Sequence, residues 1–282
     1  MAQSIDRSPR ASEFPGLQFE YRPSPDGHNH NLLILFHGLG DTPANFIQAA
    51  IAYHIPQTAL LAVAGPAPIP YFPEGTGWFP AFDVHGDPLP TGHPDRIRGL
   101  KGTREWLARL ISSYLCDTKG WRPEEIFLFG FSQGGSAALD LALCGSPVAG
   151  ALGGVVSVSG LPVDEALQTW RGTATSKPLF EVSAAILTPI LITCGTADAQ
   201  IPVSKAETTV TVMKEHLKAR RIELLCLPNK GHTMPQSEVS FVDLSPFSTA
   251  WQKDRILERY SQGCFYPYAR PGMHLSPEKN RH

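Results

Sequence analysis

Short uninterrupted apolar runs recur along the chain, and segments of mixed polarity separate them. Runs of about four to eight apolar residues without polar alternation are typical of strands that are buried on both faces of a parallel sheet. The pattern predicts six strands, at residues 32–36, 60–64, 126–129, 154–158, 190–193 and 222–226.

Helical periodicity occupies several of the intervals between these strands. Five side chains recur at the spacing of one helix face, namely Thr103, Leu107, Leu110, Ile111 and Tyr114. Ser204 and Glu207 form a capping box that opens another helix, and residues 248–260 carry a last one. Strands and helices in alternation predict a layered α/β fold with right-handed crossovers.

The remaining segments define the expected domain organisation. A chain of 282 residues is long enough for one substantial core, and we expect a single domain over residues 21–262. Residues 1–20 and 263–282 are polar, proline-rich or without pattern, which predicts loosely ordered ends. Residues 65–98 form a long stretch without clear periodicity. Because such a segment is uncommon inside a compact domain, we expect a lid or binding loop there.

Composition narrows the function classes. With 24 basic and 26 acidic residues, the net charge of −2 gives no electrostatic footprint for nucleic acid or for an anionic membrane surface. No run of about 18 apolar residues is present, and the polar N-terminus lacks the apolar core of a secretory signal. The five cysteines form no CxxC pair, which favours a reducing, cytoplasmic environment. Neither a zinc-like spacing nor a phosphate loop occurs, so no metal and no cofactor are expected.

The most informative motif is Gly130-Phe131-Ser132-Gln133-Gly134, which fits G-x-S-x-G between a predicted strand and small helix-forming residues. In such an elbow the serine backbone is strained, and glycine is needed where a side chain would collide with the neighbouring strand or helix. The hydroxyl then stands at a helix N-terminus, where positive potential favours a developing oxyanion. The alternative is a turn without chemistry, but the flanking strand and helix favour Ser132 as a nucleophile.

A serine nucleophile needs a base and a carboxylate, and in this strand-elbow-helix context the order along the chain is Ser, Asp, His. Asp198 and His232 each come shortly after a predicted strand, which brings both to the carboxyl edge of the sheet. Other side chains stay open as alternatives: Asp164 and Asp243 for the carboxylate, and His85 and His93 as loop histidines that contact either substrate or solvent.

Two backbone N–H groups are expected to stabilise the oxyanion, one after the nucleophile and one in the loop after an early strand. The first is the N–H of Gln133. The second lies in HGLGDT, residues 37–42, which directly follows the first predicted strand. Its two glycines let the backbone turn the Leu39 N–H toward the serine. We interpret His37 as a packed, hydrogen-bonded residue beside this oxyanion hole.

Together these motifs resemble the acyl-protein thioesterase / phospholipase-carboxylesterase family of α/β hydrolases, over about residues 30–235. The segments that carry the resemblance are Phe36–Thr42, Gly77–Phe79, Gly130–Gly135, Gly195–Asp198 with Pro202, and Gly231–His232. The resemblance implies an α/β-hydrolase fold, in which a mostly parallel central sheet is flanked by helices on both faces. It also implies the roles derived above: Ser132 as nucleophile, His232 as base, Asp198 as its carboxylate, and Leu39 and Gln133 as oxyanion donors.

The same resemblance implies a hydrophobic acyl channel covered by part of residues 65–98. Trp78, Phe79 and Phe82 are candidates to line it, and packed core aromatics are the alternative for them. The sequence departs from the family where Pro80-Ala81-Phe82 precede Asp83, in a long segment at residues 234–247, and in the C-terminal tail. Because these departures adjoin the expected mouth of the pocket, the resemblance supports the catalytic mechanism of the family more directly than its substrate specificity.

The expected function is hydrolysis of acyl thioesters or esters through an acyl-serine, as in depalmitoylation or a lysophospholipase-like carboxylesterase reaction. The expected partners are acylated proteins or small acyl esters and lipids. The sequence is compatible with transient contact with a membrane, and no integral membrane segment is expected. Two alternatives stay open. One is a short-chain or secondary-metabolite carboxylesterase of the fungal serine hydrolase type, and the other is a non-catalytic hydrolase fold that binds an acyl ligand or a protein.

Overall fold

The computed structural model describes residues 6–144, 152–173, 186–217, 219 and 221–234. Contacts divide the chain into a unit Met1–Phe241 and a second unit, Val242–His282, whose residues all lie outside those ranges. The expected helix at 248–260, the segment at 235–247 and the expected tail at 263–282 also lie outside the described residues. The expected domain bounds therefore stay a prediction.

Strands form the centre of the described chain. They are β1 (Phe19–Arg22), β2 (Asn31–Phe36), β3 (Thr58–Val63), β4 (Ala67–Pro68), β5 (Thr76–Gly77), β6 (Ile126–Phe131), β7 (Gly154–Val158), β8 (Ile190–Gly195) and β9 (Ile222–Leu227). Seven of them form one sheet in the order β1-β3-β2-β6-β7-β8-β9, and β4 pairs with β5 in a small second sheet. All six predicted strands are present, and they are parallel to one another.

Helices connect these strands. They are α1 (Pro43–Ile51), α2 (Pro94–Arg109, continued by π-helical turns Leu110–Thr118), α3 (Gln133–Cys144), α4 (Asp164–Trp170) and α5 (Val203–Leu217). Successive side chains of a strand point to opposite faces of a sheet. Leu128 is buried in a cluster with Leu107 of α2 and Leu139 of α3, whereas the ring of its neighbour Phe129 contacts Phe46 of α1. Helices therefore cover both faces, and the predicted α/β-hydrolase architecture is confirmed.

The two helices α2 and α3 are joined by a buried ion pair. Arg104 donates from Nε and Nη2 to the two carboxylate oxygens of Asp140, at 2.7 and 2.9 Å. Burial raises the pKa of Asp140, and the adjacent guanidinium opposes that rise. The pair therefore links α2 to α3, the helix that begins directly after Ser132. Removing either partner would leave an uncompensated charge in the core.

Residues 6–17 contact the rest of the domain through several polar side chains. The Arg10 N–H donates to the Tyr114 hydroxyl at 2.7 Å, which itself donates to the Glu13 carboxylate at 2.7 Å. Glu13 also pairs with Lys119 at 2.6 Å, and Leu17 is buried. The sequence pattern did not indicate these contacts, because each partner lies about a hundred positions away and the segment has no periodicity of its own.

Candidate active site

The elbow at Ser132 has the backbone that its sequence predicts. Ser132 has a positive φ of 53°, in the left-handed region that costs a residue with a side chain about 1–3 kcal/mol. Its N–H donates to Val158 O of the neighbouring strand at 2.9 Å, and its carbonyl accepts the first α3 hydrogen bond, from Ser136 N–H at 3.0 Å. A methyl group at Gly134 would overlap the carbonyl oxygens of Phe36 and His37. Only glycine therefore lets α3 start this close to β2.

Two neighbouring loops carry Asp198 and His232. They follow β8 and β9, which are adjacent parallel strands, so both loops leave the sheet at the same edge. The loops are also bonded to each other, because Ala197 N–H donates to Lys230 O and Asn229 N–H donates to Thr196 Oγ1, each at 2.9 Å. The loops that carry the carboxylate and the imidazole are thus held together by one backbone hydrogen bond and by one from the backbone to the Thr196 side chain.

The structure brings Ser132, His232 and Asp198 into one hydrogen-bonded chain. His232 Nε2 lies 2.8 Å from Ser132 Oγ, and His232 Nδ1 lies 2.9 Å from Asp198 Oδ2. An ionised carboxylate can only accept, so Nδ1 carries the proton and Nε2 is left to accept from the serine hydroxyl. This is the arrangement in which an imidazole can remove the proton of a serine nucleophile.

Asp198 is held in its ionised form. Its other oxygen, Oδ1, accepts from Gln200 N–H at 2.8 Å and from Ile201 N–H at 2.9 Å. Burial works to raise the pKa of Asp198, but the hydrogen bonds from Ile201, His232 and Gln200 outweigh it and hold the pKa below its ordinary value. A buried carboxylate that stays charged both orients the imidazole and stabilises an imidazolium.

His37 organises the loop that carries Leu39. Its Nδ1 lies 2.7 Å from Gly38 O, an acceptor, so Nδ1 bears the proton. Nε2 accepts from Gly65 N–H at 3.2 Å and lies 3.3 Å from Thr76 Oγ1. His37 is fully buried, and burial lowers its pKa. The packed, hydrogen-bonded role that the sequence indicated for His37 matches these contacts.

Replacing His37 should change how folding responds to acid. A histidine whose pKa is lowered in the folded state takes up a proton more readily when unfolded, so it destabilises the fold as pH falls below about 6.5. We expect the free energy of unfolding to fall less steeply between pH 7 and pH 5 in His37→Gln than in the wild type. Urea unfolding at several pH values measures this slope. The exposed His216→Gln is the control, and equal slopes in wild type and His37→Gln would contradict the expectation.

The predicted lining aromatics lie in different environments. Trp78 is fully buried, its ring lies 4.7 Å from that of Phe36, and its Nε1–H donates to His37 O at 2.8 Å. Phe79 is 5 % exposed, and Phe82 is half-buried in a bridge to Pro88. For Trp78 and Phe79 these contacts favour the core alternative. Substrate contact by Phe82 stays a prediction.

The segment at 65–98, which lacked periodicity in the sequence but contains β4, β5 and the first turn of α2, presents apolar side chains that sequence reasoning missed. Of the five large apolar side chains exposed in the described ranges, three lie in this segment and one in the loop of His37: Tyr71, Phe72, Val84 and Leu39. Tyr71 is 82 % exposed at a φ of 60°, and its hydroxyl donates to Val84 O at 3.2 Å. We call Tyr71, Phe72 and Val84 the apolar rim. A methyl group at Gly40 would lie 3.7 Å from the Phe72 ring, so the apolar rim borders the Leu39 loop. The signal in the sequence was the PYFP tetrapeptide, in which two prolines enclose two aromatics.

Three of the other candidate side chains lie in the described ranges, and each has a different environment. Asp164 pairs with Lys205 at 3.0 Å, His93 caps α2 by accepting from Asp95 N–H, and His85 is exposed. Asp243 is outside the described residues. Within the described ranges no group of three or more His, Cys, Asp or Glu side chains is placed to hold a metal ion. In that part of the chain no helix is both long and apolar enough to span a membrane.

Comparison with known proteins identifies relatives of this chain. Residues 23–245 match the family model described as phospholipase/carboxylesterase. An uncharacterised hydrolase of Mycosarcoma maydis is 33 % identical over 50 % of this chain and 53 % of its own length, so the chain spans about half of that relative. Acyl-protein thioesterase 1 of Gibberella zeae is 24 % identical over 78 % of this chain and 91 % of its own.

Solved structures share the architecture. The crystal structure of esterase PE8 superposes with a TM-score of 0.62 and 25 % identity, covering 84 % of this chain and 98 % of that one. The α/β-hydrolase fold described above is therefore shared with an esterase of known structure.

Proposed function

The chain belongs to the phospholipase/carboxylesterase family of hydrolases, and we propose that it is a serine hydrolase that cleaves acyl thioesters or esters through an acyl-serine intermediate. The observation that carries the proposal is the pair of hydrogen bonds that joins Ser132 through His232 to Asp198. The names of relatives such as acyl-protein thioesterase 1 of Gibberella zeae support the same reaction class.

In the proposed first step, Ser132 Oγ attacks the acyl carbonyl carbon while its proton moves to His232 Nε2. A C–O bond forms, and the carbonyl electrons move onto oxygen to give a tetrahedral oxyanion. The backbone N–H groups of Leu39 and Gln133 stabilise this charge in the proposal. The C–S or C–O bond to the leaving group then breaks, the leaving group takes the proton from His232, and an acyl-serine remains. Neutral His232 next removes a proton from water, which adds to the acyl-serine. Collapse of the second tetrahedral oxyanion breaks the C–O bond to Ser132 Oγ, which takes the proton back from His232, and the acid is released.

One site can cleave both ester types, although their leaving groups need different amounts of protonation. A thiolate, whose conjugate acid has a pKa of about 8.5, leaves with little protonation. An alkoxide is far more basic and needs the proton held on the His232 imidazolium. Both reactions use the same nucleophile and oxyanion donors, so we propose activity on thioesters and oxyesters alike.

The apolar rim supports long acyl groups as substrates. Tyr71, Phe72 and Val84 expose apolar surface beside the loop that carries Leu39, and exposed apolar patches mark sites that bind apolar partners. We therefore propose acylated proteins or lipid-like esters as substrates, with depalmitoylation and lysophospholipase-like hydrolysis as the two forms of that reaction. A cytoplasmic setting stays a prediction from the cysteine pattern.

Hydrolysis of matched thioesters and oxyesters with acyl chains of two to sixteen carbons tests this proposal. We expect kcat/KM to rise with chain length in the wild type, because each buried methylene adds about 0.8 kcal/mol, or roughly fourfold. Phe72→Ser should flatten this rise while short-chain hydrolysis is retained, and Leu187→Ser, which alters an exposed leucine in another segment, should leave it unchanged.

Other outcomes of the same series identify the alternatives. A preference for two to four carbons would contradict the long-chain proposal and favour a short-chain or secondary-metabolite carboxylesterase. No turnover of any member, in a protein that nevertheless binds acyl ligands, would favour the non-catalytic hydrolase fold.

A further inference from the structure

The side chain of Gln133 is bonded to a segment far away in the chain. Its Oε1 accepts from Trp78 N–H at 2.7 Å, and its Nε2 donates to Phe79 O at 3.0 Å. The single amide group thus pairs with the backbone of two successive residues. The same residue supplies the first proposed oxyanion donor through its own backbone N–H.

The segment that Gln133 holds is also bonded to the loop of the second proposed donor. We call residues 76–79 the bridging strip. Thr76 O accepts from Gly40 N–H at 2.9 Å, and Thr76 N–H donates to Asp41 O at 3.3 Å. The carbonyl of His37 accepts from Trp78 Nε1 at 2.8 Å. Residues on both sides of Leu39 are therefore fixed to the bridging strip.

Gly77 shows how closely the bridging strip fits between the two donor residues. A methyl group at Gly77 would lie 2.8 Å from Gln133 Oε1 and 2.9 Å from Leu39 Cδ1. Gly77 does not have a positive φ, so its backbone would accept an alanine and only the space forbids one. The strip is held from other sides as well, since Thr103 Oγ1 donates to Trp78 O and β5 pairs with β4.

From these contacts we infer that the Gln133 side chain is a positioning residue: through the bridging strip, it sets the separation of the Leu39 and Gln133 backbone N–H groups. The inference rests on the proposed hydrolase function and adds a second role for Gln133. An oxyanion hole works when both donors are aligned before the charge develops. A change in their separation therefore weakens binding of the tetrahedral oxyanion more than binding of the trigonal substrate.

Two variants test this from opposite ends of the contact. Gln133→Met keeps the length of the side chain but removes both hydrogen bonds, and Gly77→Ala forces a methyl group between Gln133 and Leu39. For each we expect kcat to fall about 10- to 100-fold, less than or equal to the loss of a whole oxyanion donor, while KM changes less than about threefold. Because both variants disturb one unit, the double variant should lose less than the product of the single losses.

A transition-state mimic separates positioning from general damage to the fold. A long-chain trifluoromethyl ketone adds reversibly to the serine and forms an oxyanion, whereas the matched unreactive ether only occupies the acyl site. The inhibition constant of the ketone should rise in proportion to the loss of kcat/KM. Binding of the ether should not change. Gln48→Met, on the exposed face of α1, is the matched control and should behave as the wild type.

The outcomes distinguish this inference from the proposed function. If the wild type neither hydrolyses esters nor binds the ketone, the proposed function fails. If the wild type is active and the folded Gln133→Met and Gly77→Ala keep its kcat and ketone affinity, only the positioning role is overturned. Equal weakening of ketone and ether binding would also overturn it, because that pattern reports a loss of the acyl site.

Discussion

Ser132→Ala should lower kcat for ester and thioester hydrolysis by on the order of 10⁴- to 10⁶-fold, the range in which removal of a nucleophile leaves only the contribution of binding and the oxyanion hole. The reason is the contact of Ser132 Oγ with His232 Nε2 at 2.8 Å, which alanine cannot make. Assays with a long-chain thioester, quenched at set times, measure this loss of kcat. Ser132→Ala cannot form an acyl-serine, so no covalent acyl-enzyme should be found when the reaction is quenched.

Folding of Ser132→Ala should be retained. Alanine occupies the left-handed backbone at this position with the same strain as serine, and the two backbone hydrogen bonds of the elbow do not use the hydroxyl. The expected capping box at Ser204 is not formed, because α5 begins at Val203 and its first backbone hydrogen bonds go to Pro202 O. Ser204 is instead an exposed residue within the first turn of α5, so Ser204→Ala is the matched control and should keep wild-type activity. A folded Ser132→Ala with more than about a tenth of wild-type kcat would contradict the nucleophile role, given the losses measured for catalytic serines.

His232→Ala should produce a loss of similar size, on the order of 10⁴- to 10⁶-fold in kcat, because a serine hydroxyl without a base is a poor nucleophile. The double variant Ser132→Ala/His232→Ala should be no slower than either single variant, since the two groups act as one unit. The exposed His216→Ala on α5 is the control. If the loss of kcat in the double variant equalled the product of the two single losses, the two side chains would act independently, which would contradict the proposed proton transfer.

The strands and the elbow could be predicted because their causes are local. Runs such as residues 32–36 are apolar on both faces, so the pattern of apolar positions alone predicts strands of a parallel sheet. The glycines at 130 and 134 flank Ser132 at the end of one of these runs, which specifies the turn into α3. Asp198 and His232 could be selected because each follows a strand at the carboxyl edge of the sheet.

Features that depend on distant partners could not be predicted. The edge strand β1, Phe19–Arg22, mixes charged and aromatic residues and is antiparallel to its neighbour, so it lacks the continuous apolar signature. The contact between Gln133 and Trp78 joins residues 55 positions apart, and neither has a sequence pattern that indicates it. The exposure of Tyr71 and Phe72 was also missed, because aromatic side chains are more often buried than exposed, although the two prolines that enclose them were a local signal.

The most direct test of the serine mechanism is covalent labelling. The wild type is treated with a long-chain alkyl fluorophosphonate, and the modified residue is located by mass spectrometry of its peptides. We expect one adduct, on Ser132, with no adduct formed in Ser132→Ala and very slow labelling in His232→Ala. Absence of labelling under conditions in which a control serine hydrolase reacts, or an adduct on another residue that persists in Ser132→Ala, would contradict Ser132 as the nucleophile.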